Sequence, residues 1–597
     1  VNRTTRAGFV LAIAGGLLAV APTFAEAYNL PKLWFLAAGA ALAWGGRFGT
    51  PARRTALDAP LLALWAVMLA STATSADPAA SILGMYPQQF YGLLPLALCA
   101  GLYYAAAASD SARSDEFLAK LFVGTAAIMS VYGLLQCVVG NPILTSEDLP
   151  QRLDNHWVRI TSTIGSPVMF GGCLALLLPL VLREAFVKKT TLGKAALLPV
   201  LAALTLTWAR GSWAAAGLAT GAYALLSGRL TLARRRWRWI GLAAAVAALP
   251  AFFLIQSRMK KGASDSMRVE MMKSALPMVA DHPVLGSGPD TYLLGLRRFR
   301  TDGWVQLTHR TSVLQLSAHN DILQAVITLG WTGLAAYLWL LAALFLALRR
   351  AVATGSKDGT TPAIAAGLLG LFLQAKVNPV TASTLGAASI LAGLACRDGA
   401  PLKKTPSRVV AATAFAAFAV LTVVVGVLCR ADLLFRRGVV AINDGHGIDA
   451  KFMGGVGELK RATEINPWSI DYLSQRCEVI FRVSRVASPE QGKQLIDKAL
   501  ELTAQGVRLH PGNPTAHELR STALTLAARF GAPTLPEAMV EIKRASDLDP
   551  NLTFSLRRRM DLARALNDRT EFERAKADYL RVIVLTDEVP DWNPIVL

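Results

Sequence analysis

Three groups of polar residues interrupt an otherwise apolar chain, and their types allow chemistry. The first is Arg210, in Leu206-Thr207-Trp208-Ala209-Arg210-Gly211-Ser212-Trp213. An arginine at a tight turn between two apolar runs can hold an anion, because its planar fork pairs with phosphate oxygens. It can equally snorkel beside two interfacial tryptophans. Position alone favours neither role. The second is the run 257–319, in which nine Lys/Arg, Arg268 among them, face five acids. That excess suits a ligand such as a pyrophosphate, or simply a solvated basic loop. Within it, Gly286-Ser287-Gly288-Pro289 is a turn that lets backbone approach another group closely. As a phosphate cradle a lone G-x-G is a weak signal. The third is Ala318-His319-Asn320-Asp321, at the start of an apolar run. Histidine is the usual general base near neutral pH. Asn320 or Asp321 can instead cap a helix.

The elements that must hold these residues are membrane spans. The 597 residues are 53% hydrophobic and 17% charged, with mean hydropathy +0.40. A soluble chain of this length carries more charge. Spans of about 20 apolar residues are expected at thirteen places: 7–24, 31–46, 58–75, 91–108, 117–139, 168–184, 193–209, 212–228, 238–256, 320–348, 362–377, 381–396 and 408–429. Basic loops follow the second, sixth, eighth, tenth and twelfth, which puts the N-terminus in the cytoplasm and the C-terminal segment outside. The net charge of +20 is thereby accounted for without nucleic acid. Ala25-Glu26-Ala27 resembles a signal-peptide cleavage site, so the first span has an alternative reading. The six cysteines are scattered without any C-x-x-C and read as small buried hydrophobes.

Two domains are expected, a transmembrane domain over 1–436, including outer loops 140–167 and 257–319, and a helical domain over 437–597. In the latter, Ile465-Asn466-Pro467, Leu509-His510-Pro511 and Leu548-Asp549-Pro550 recur at spacings of 44 and 39 residues. That pattern resembles degenerate tetratricopeptide repeats, whose period is about 34 residues, with insertions. Such an array offers a concave face to a protein partner and no chemistry of its own. It is expected to be accessory, with His510 and His517 on its surface. The fold class is all-α.

Taken in order, the polar groups resemble the motifs of the O-antigen ligase and polymerase superfamily. Trp208-Ala209-Arg210-Gly211-Ser212-Trp213 is similar to its S-R-G-aromatic motif. Arg268 and the segment Asp281-His282-Pro283-Val284-Leu285-Gly286-Ser287-Gly288-Pro289 resemble its R-x-x-x-W and P-L-x-G-x-G-P pieces. His319-Asn320 through Gln324 to Gly330 and Gly333 resembles its H-N-x-x-L-Q and E-x-G-x-x-G pieces. Arg159 through Gly165-Ser166-Pro167 is similar to its upstream G-T-x-G-N-P piece. The chain departs at Thr328, where an acid is common, at Ser166 for asparagine, and at Met271 and Met272 where an aromatic follows the arginine.

The resemblance implies an inverting, metal-independent glycosyltransferase without a cofactor, embedded in the bacterial inner membrane. It would move a glycan from undecaprenyl pyrophosphate to an acceptor hydroxyl, on lipid A core or another lipid or glycan, at the outer face. Arg210 and Arg268, with Arg159, would hold the pyrophosphate, and His319 would take the acceptor proton or help hold the pyrophosphate. Polymerisation and protein O-glycosylation are alternatives within the superfamily. A lipid-linked-sugar transporter is the alternative from another class. It fits less well, because spans one to eight are nearly free of charge and Lys376 lies at an outer edge.

Overall fold

A computed structural model of the chain describes residues 2–48, 50, 53–109, 112–140, 159–228, 263–311, 314–354, 358–397, 407–445, 448–586 and 590. Among these the regular structure is entirely helical. Helix α1 (Arg3–Val10) continues through a π turn to Leu18, followed by α2 (Asn29–Gly45), α3 (Asp58–Ala73), α4 (Pro78–Leu83), α5 (Leu93–Ala107), α6 (Ala112–Val139), α7 (Pro167–Leu182), α8 (Thr191–Leu206) and α9 (Arg210–Leu226). A shorter group, α10 (Ala263–Asp281), α11 (Tyr292–Phe299) and α12 (Asp302–Thr308), precedes α13 (Asp321–Thr354), α14 (Thr360–Ala375), α15 (Ala382–Ala395) and α16 (Ser407–Asp444). Each expected span thus coincides with a helix except 238–256, which lies outside the described residues. Four stretches, Ser114–Val139, Pro167–Val187, Asp321–Thr354 and Arg408–Asp444, are long and apolar enough to cross a membrane. Others are shorter; the 16 residues of α3 reach about 24 Å.

The chain is a polytopic all-α membrane protein. Its helices alternate between two ends, and polar contacts at each end show which loops share it. At one end Arg183, fully buried, pairs with Glu184, with Glu116 at 2.8 Å and with Asp358 at 2.9 Å. Arg397 grips Asp115 there at 2.6 Å. These residues all belong to loops expected on one side of the membrane. The bundle between the ends is a single apolar core in which Ile13, Leu36, Phe122, Phe170 and Ile390 are 0% exposed.

The far end carries the C-terminal helices: α17 (Ala450–Ile465), α18 (Ile470–Ser484), α19 (Pro489–Leu509), α20 (Pro514–Ala528), α21 (Leu535–Leu548), α22 (Thr553–Ala565) and α23 (Arg569–Thr586). Each of the three repeated prolines falls in the turn just after a helix, because proline cannot continue one. Side chains at Asp449, Ser469, Ser488 and Asn513 cap the helices that follow. Helix α16 runs unbroken through residues 436 and 437 and joins bundle to tail. At that junction the buried Asp432 accepts from Tyr86 and Tyr472 hydroxyls, both at 2.8 Å, and from the Glu26 amide at 2.9 Å. His510 and His517 are not surface residues. They are 2% and 6% exposed, held by Asp77 at 2.7 Å and Glu541 at 2.6 Å, because both sit in seams between packed helices.

Candidate functional site

Arg268 and His319 are brought together by a small core of their own. Met271, Ala275 and Met278 of α10 pack on Tyr292, Leu296 and Trp304, and Ala318, Val326 and Ile327 complete the cluster. Arg268 precedes Met271 by one turn, and His319 directly follows Ala318. Met272, where the resembling motif has its aromatic, is 66% exposed, while its neighbour Met271 is 3% exposed. His319 is half-buried, with its backbone in the left-handed region at φ 51°. Its Nε2 lies 3.1 Å from Gln315 Oε1, and Asn378 supplies a second hydrogen bond. Burial, then the charge of Arg268, lowers the His319 pKa to about 4, with Asn378 opposing. The ring is therefore neutral at neutral pH. Capping falls to Asn320, whose Oδ1 accepts from the Ile322 and Leu323 amides, both at 3.0 Å.

Arg210 is the first residue of α9 and approaches from the other side. Helices α8 and α9 reverse at Trp208, φ 52°, and Trp213 braces the turn by donating from Nε1 to the Leu204 carbonyl at 2.8 Å. The Arg210 guanidinium is half-buried and makes no hydrogen bond or ion pair with any described residue. A Cβ added at Gly211 would lie 2.9 Å from Val377 and 3.4 Å from Asn378 Nδ2. Asn378 thus stands between the start of α9 and His319. Arg159 donates from Nε to the Thr207 carbonyl at 3.2 Å, directly behind the turn. Burial lowers its pKa.

A further group was not assigned from sequence. Lys376 Nζ reaches both Asp321 oxygens, at 2.5 and 2.7 Å, and Tyr337 donates to the same carboxylate at 2.5 Å. Gln374 is 1% exposed, and its Oε1 has no hydrogen-bond partner among the described residues. The signal available for these residues was the polar run Gln374-Ala375-Lys376-Val377-Asn378 closing an apolar helix. Asp321 and Tyr337 also line an apolar cavity of about 340 Å³, together with Leu61, Trp65, Leu341 and Leu371.

The G-x-G turn has a different partner from a phosphate. Helix α13 is broken at Gly330, φ 67° and ψ −171°. The turn and loop from Pro283 to Gly288 fill the break: Ser287 and Gly288 amides donate to Ile327 and Thr328 carbonyls at 3.1 and 3.0 Å, and Trp331 donates to Pro283 at 2.9 Å. The glycines are needed here because a Cβ at Gly286 or Gly330 would meet the facing backbone at 2.2 Å. Of the basic residues in this loop, Arg258, Lys260 and Lys261 lie outside the described residues.

Ser162, Trp208 and His319, each in a motif segment, and Asp290, directly after the segment ending at Pro289, all have positive φ. Residues held in that region mark sites that the surroundings over-determine. No curated protein matches the chain. A family model described as O-Antigen ligase matches residues 195–338, a stretch that contains Arg210, Arg268 and His319 but neither Arg159 nor the tail. Residues 195–338 are thus similar to the O-antigen ligase family.

Proposed function

We propose that the protein is a glycosyltransferase of the inner membrane that moves a glycan from undecaprenyl pyrophosphate to an acceptor hydroxyl at the outer face, in the manner of an O-antigen ligase. The reading rests chiefly on Arg210: a half-buried arginine with no partner among the described residues, at the start of a 17-residue helix whose next residue, Gly211, lies beside Asn378. A partially buried arginine without a counter-ion asks for an anion. The helix N-terminus adds its own partial positive charge. The apolar cavity that Asp321 helps to line suits the hydrocarbon tail of a lipid-linked substrate.

In the reaction, the acceptor oxygen attacks the anomeric carbon while the bond from that carbon to the pyrophosphate oxygen breaks. The electron pair leaves on the pyrophosphate, whose new charge Arg210 and Arg268 stabilise, with Arg159 behind them. The acceptor proton passes to neutral His319. With Nε2 donating to Gln315, the lone pair that receives it is on Nδ1. Residues 1–436 form the membrane domain, with the N-terminus cytoplasmic, and 437–597 a periplasmic domain. The test is transfer by the purified full chain from undecaprenyl-pyrophosphate glycan, together with the surface glycans of a deletion strain. Uncapped lipid A core supports ligation, shortened chains indicate polymerisation, and unchanged glycans with no transfer in vitro would remove the proposal.

A further inference from the structure

The C-terminal helices meet the loop 263–319 through charged side chains. Arg300, at the end of α11, pairs with Asp549 at 2.6 Å, the two side chains 0% and 2% exposed. Its other amino group donates to the Thr311 carbonyl at 2.7 Å, on the run that leads to His319. Arg297 donates to Thr515 at 3.3 Å and lies in the field of Asp471, Glu518 and Asp549. A second buried pair, His510–Asp77 at 2.7 Å, has side chains 3% and 1% exposed. A domain merely tethered to a membrane has no use for buried charges, which are costly to desolvate. Their best-attested use is to set one register of packing.

These contacts continue to the site. Gly512 donates to the Ala76 carbonyl at 2.8 Å, and Ala76 donates to Ser287 at 3.0 Å. Ser287 in turn donates into the break of α13 at Ile327. The half of α13 before the break begins at Asp321, and its Gln324 Oε1 accepts from the Ala318 amide at 2.8 Å. Two routes therefore join the tail to His319. One runs through Arg300 and Thr311, the other through Asp77, Ser287 and the Gly330 break.

We propose that the C-terminal domain is a clamp for the catalytic loop: the partner its polar inner face takes is helix α11 of the same chain, and Arg300, Asp549, His510 and Asp77 are positioning residues for transfer. This rests on the roles given to Arg268 and His319 above. It replaces the expectation of an accessory tail with an obligatory one, acting through geometry alone.

The experiment uses the full chain in lipid nanodiscs, with Asp549→Asn, Asp77→Asn and Arg300→Lys, reading amide hydrogen exchange and transfer kinetics per folded molecule. Asp549→Asn removes the ion pair but keeps the Arg300–Thr311 bond. Arg300→Lys keeps charge opposite Asp549 but cannot hold both partners. Expected are at least tenfold faster exchange over 283–300 and 314–330 in Asp549→Asn, a kcat lowered about tenfold, and a donor KM changed less than threefold. Arg300→Lys should fall between Asp549→Asn and the unaltered chain. Unchanged exchange, or faster exchange with full kcat, overturns the clamp. So does a loss confined to the amount of folded protein. An unaltered chain that transfers nothing sinks the functional reading instead, since exchange reports the clamp independently of any reaction.

Discussion

Arg268 lies close enough to His319, 51 residues further along the chain, for its charge to disfavour protonation of the ring. Burial is the larger cause and acts in the same direction. The imidazole gains a proton only at about pH 4, so it is a base in the free state across the whole neutral range. Both groups owe this proximity to the Met271–Tyr292–Trp304 core, which packs the residues next to each of them, Met267 and Ala318, into one cluster.

The pH dependence follows with a definite sign. The His319 pKa is lowered from 6.5 to about 4, so the acidic limb of kcat/KM should lie below pH 5.5. Between about 4 and 6.5 the unfolded chain binds this proton and the folded one does not, so stability should rise with pH through that window. Arg268→Gln should move the acidic limb upward only in part, because burial remains. A limb near 6.5 in the unaltered protein would contradict the geometry.

Arg210→Ala should leave the protein folded and inserted, since no described residue depends on its side chain. The stability change should stay within about 0.5 kcal/mol. Transfer should fall by roughly 10²-fold or more. Arg210→Lys should rescue poorly, because the bidentate fork is lost. Thermal unfolding and turnover at matched amounts measure both; full activity of the alanine variant would remove the central role.

His319 and Asn320 separate catalysis from capping. Asn320→Ala should cost about 1 kcal/mol, with little loss of turnover per folded molecule. His319→Asn should lower the rate by roughly 10²–10⁴-fold while donor binding stays normal. Near-normal turnover of His319→Asn would leave His319 a structural residue.

Gly330→Ala should destabilise strongly. Its backbone region costs a side chain roughly 1–3 kcal/mol, and the Cβ would also meet the Val284 carbonyl oxygen at 2.2 Å. Unfolding should shift down, and transfer should fall with it as the strap from Pro283 to Gly288 is expelled. A variant as stable as the parent would mean the strap is not seated in the break.

The helical domain is expected in the periplasm. A reporter active only there, fused after the last residue, should be active; activity of a cytoplasm-only reporter at the same point would overturn the topology.

Hydropathy is a local property of the chain, so the sequence alone located the apolar helices among the described residues, although α16 runs on to Asp444, well past its expected end at 429, and it marked the prolines that end helices in the tail. It also named Arg210 and His319, which interrupt or open apolar runs, Arg268 within a basic loop, and Arg159 through the resemblance to a family motif. What the polar residues touch was decided only by tertiary structure. The G-x-G turn reads as a loop for a ligand, yet its glycines are spent on the backbone at Gly330, some 40 residues away. Neither the break in α13 nor the strap that fills it has a local signature, because each is stable only with the other present. Asn378, between Arg210 and His319, is unremarkable in sequence. His510 and His517 looked like surface residues of a polar tail, and they are buried because separate helices close over them. Burial, and with it the neutrality of His319, belongs to the packed chain rather than to any segment of it.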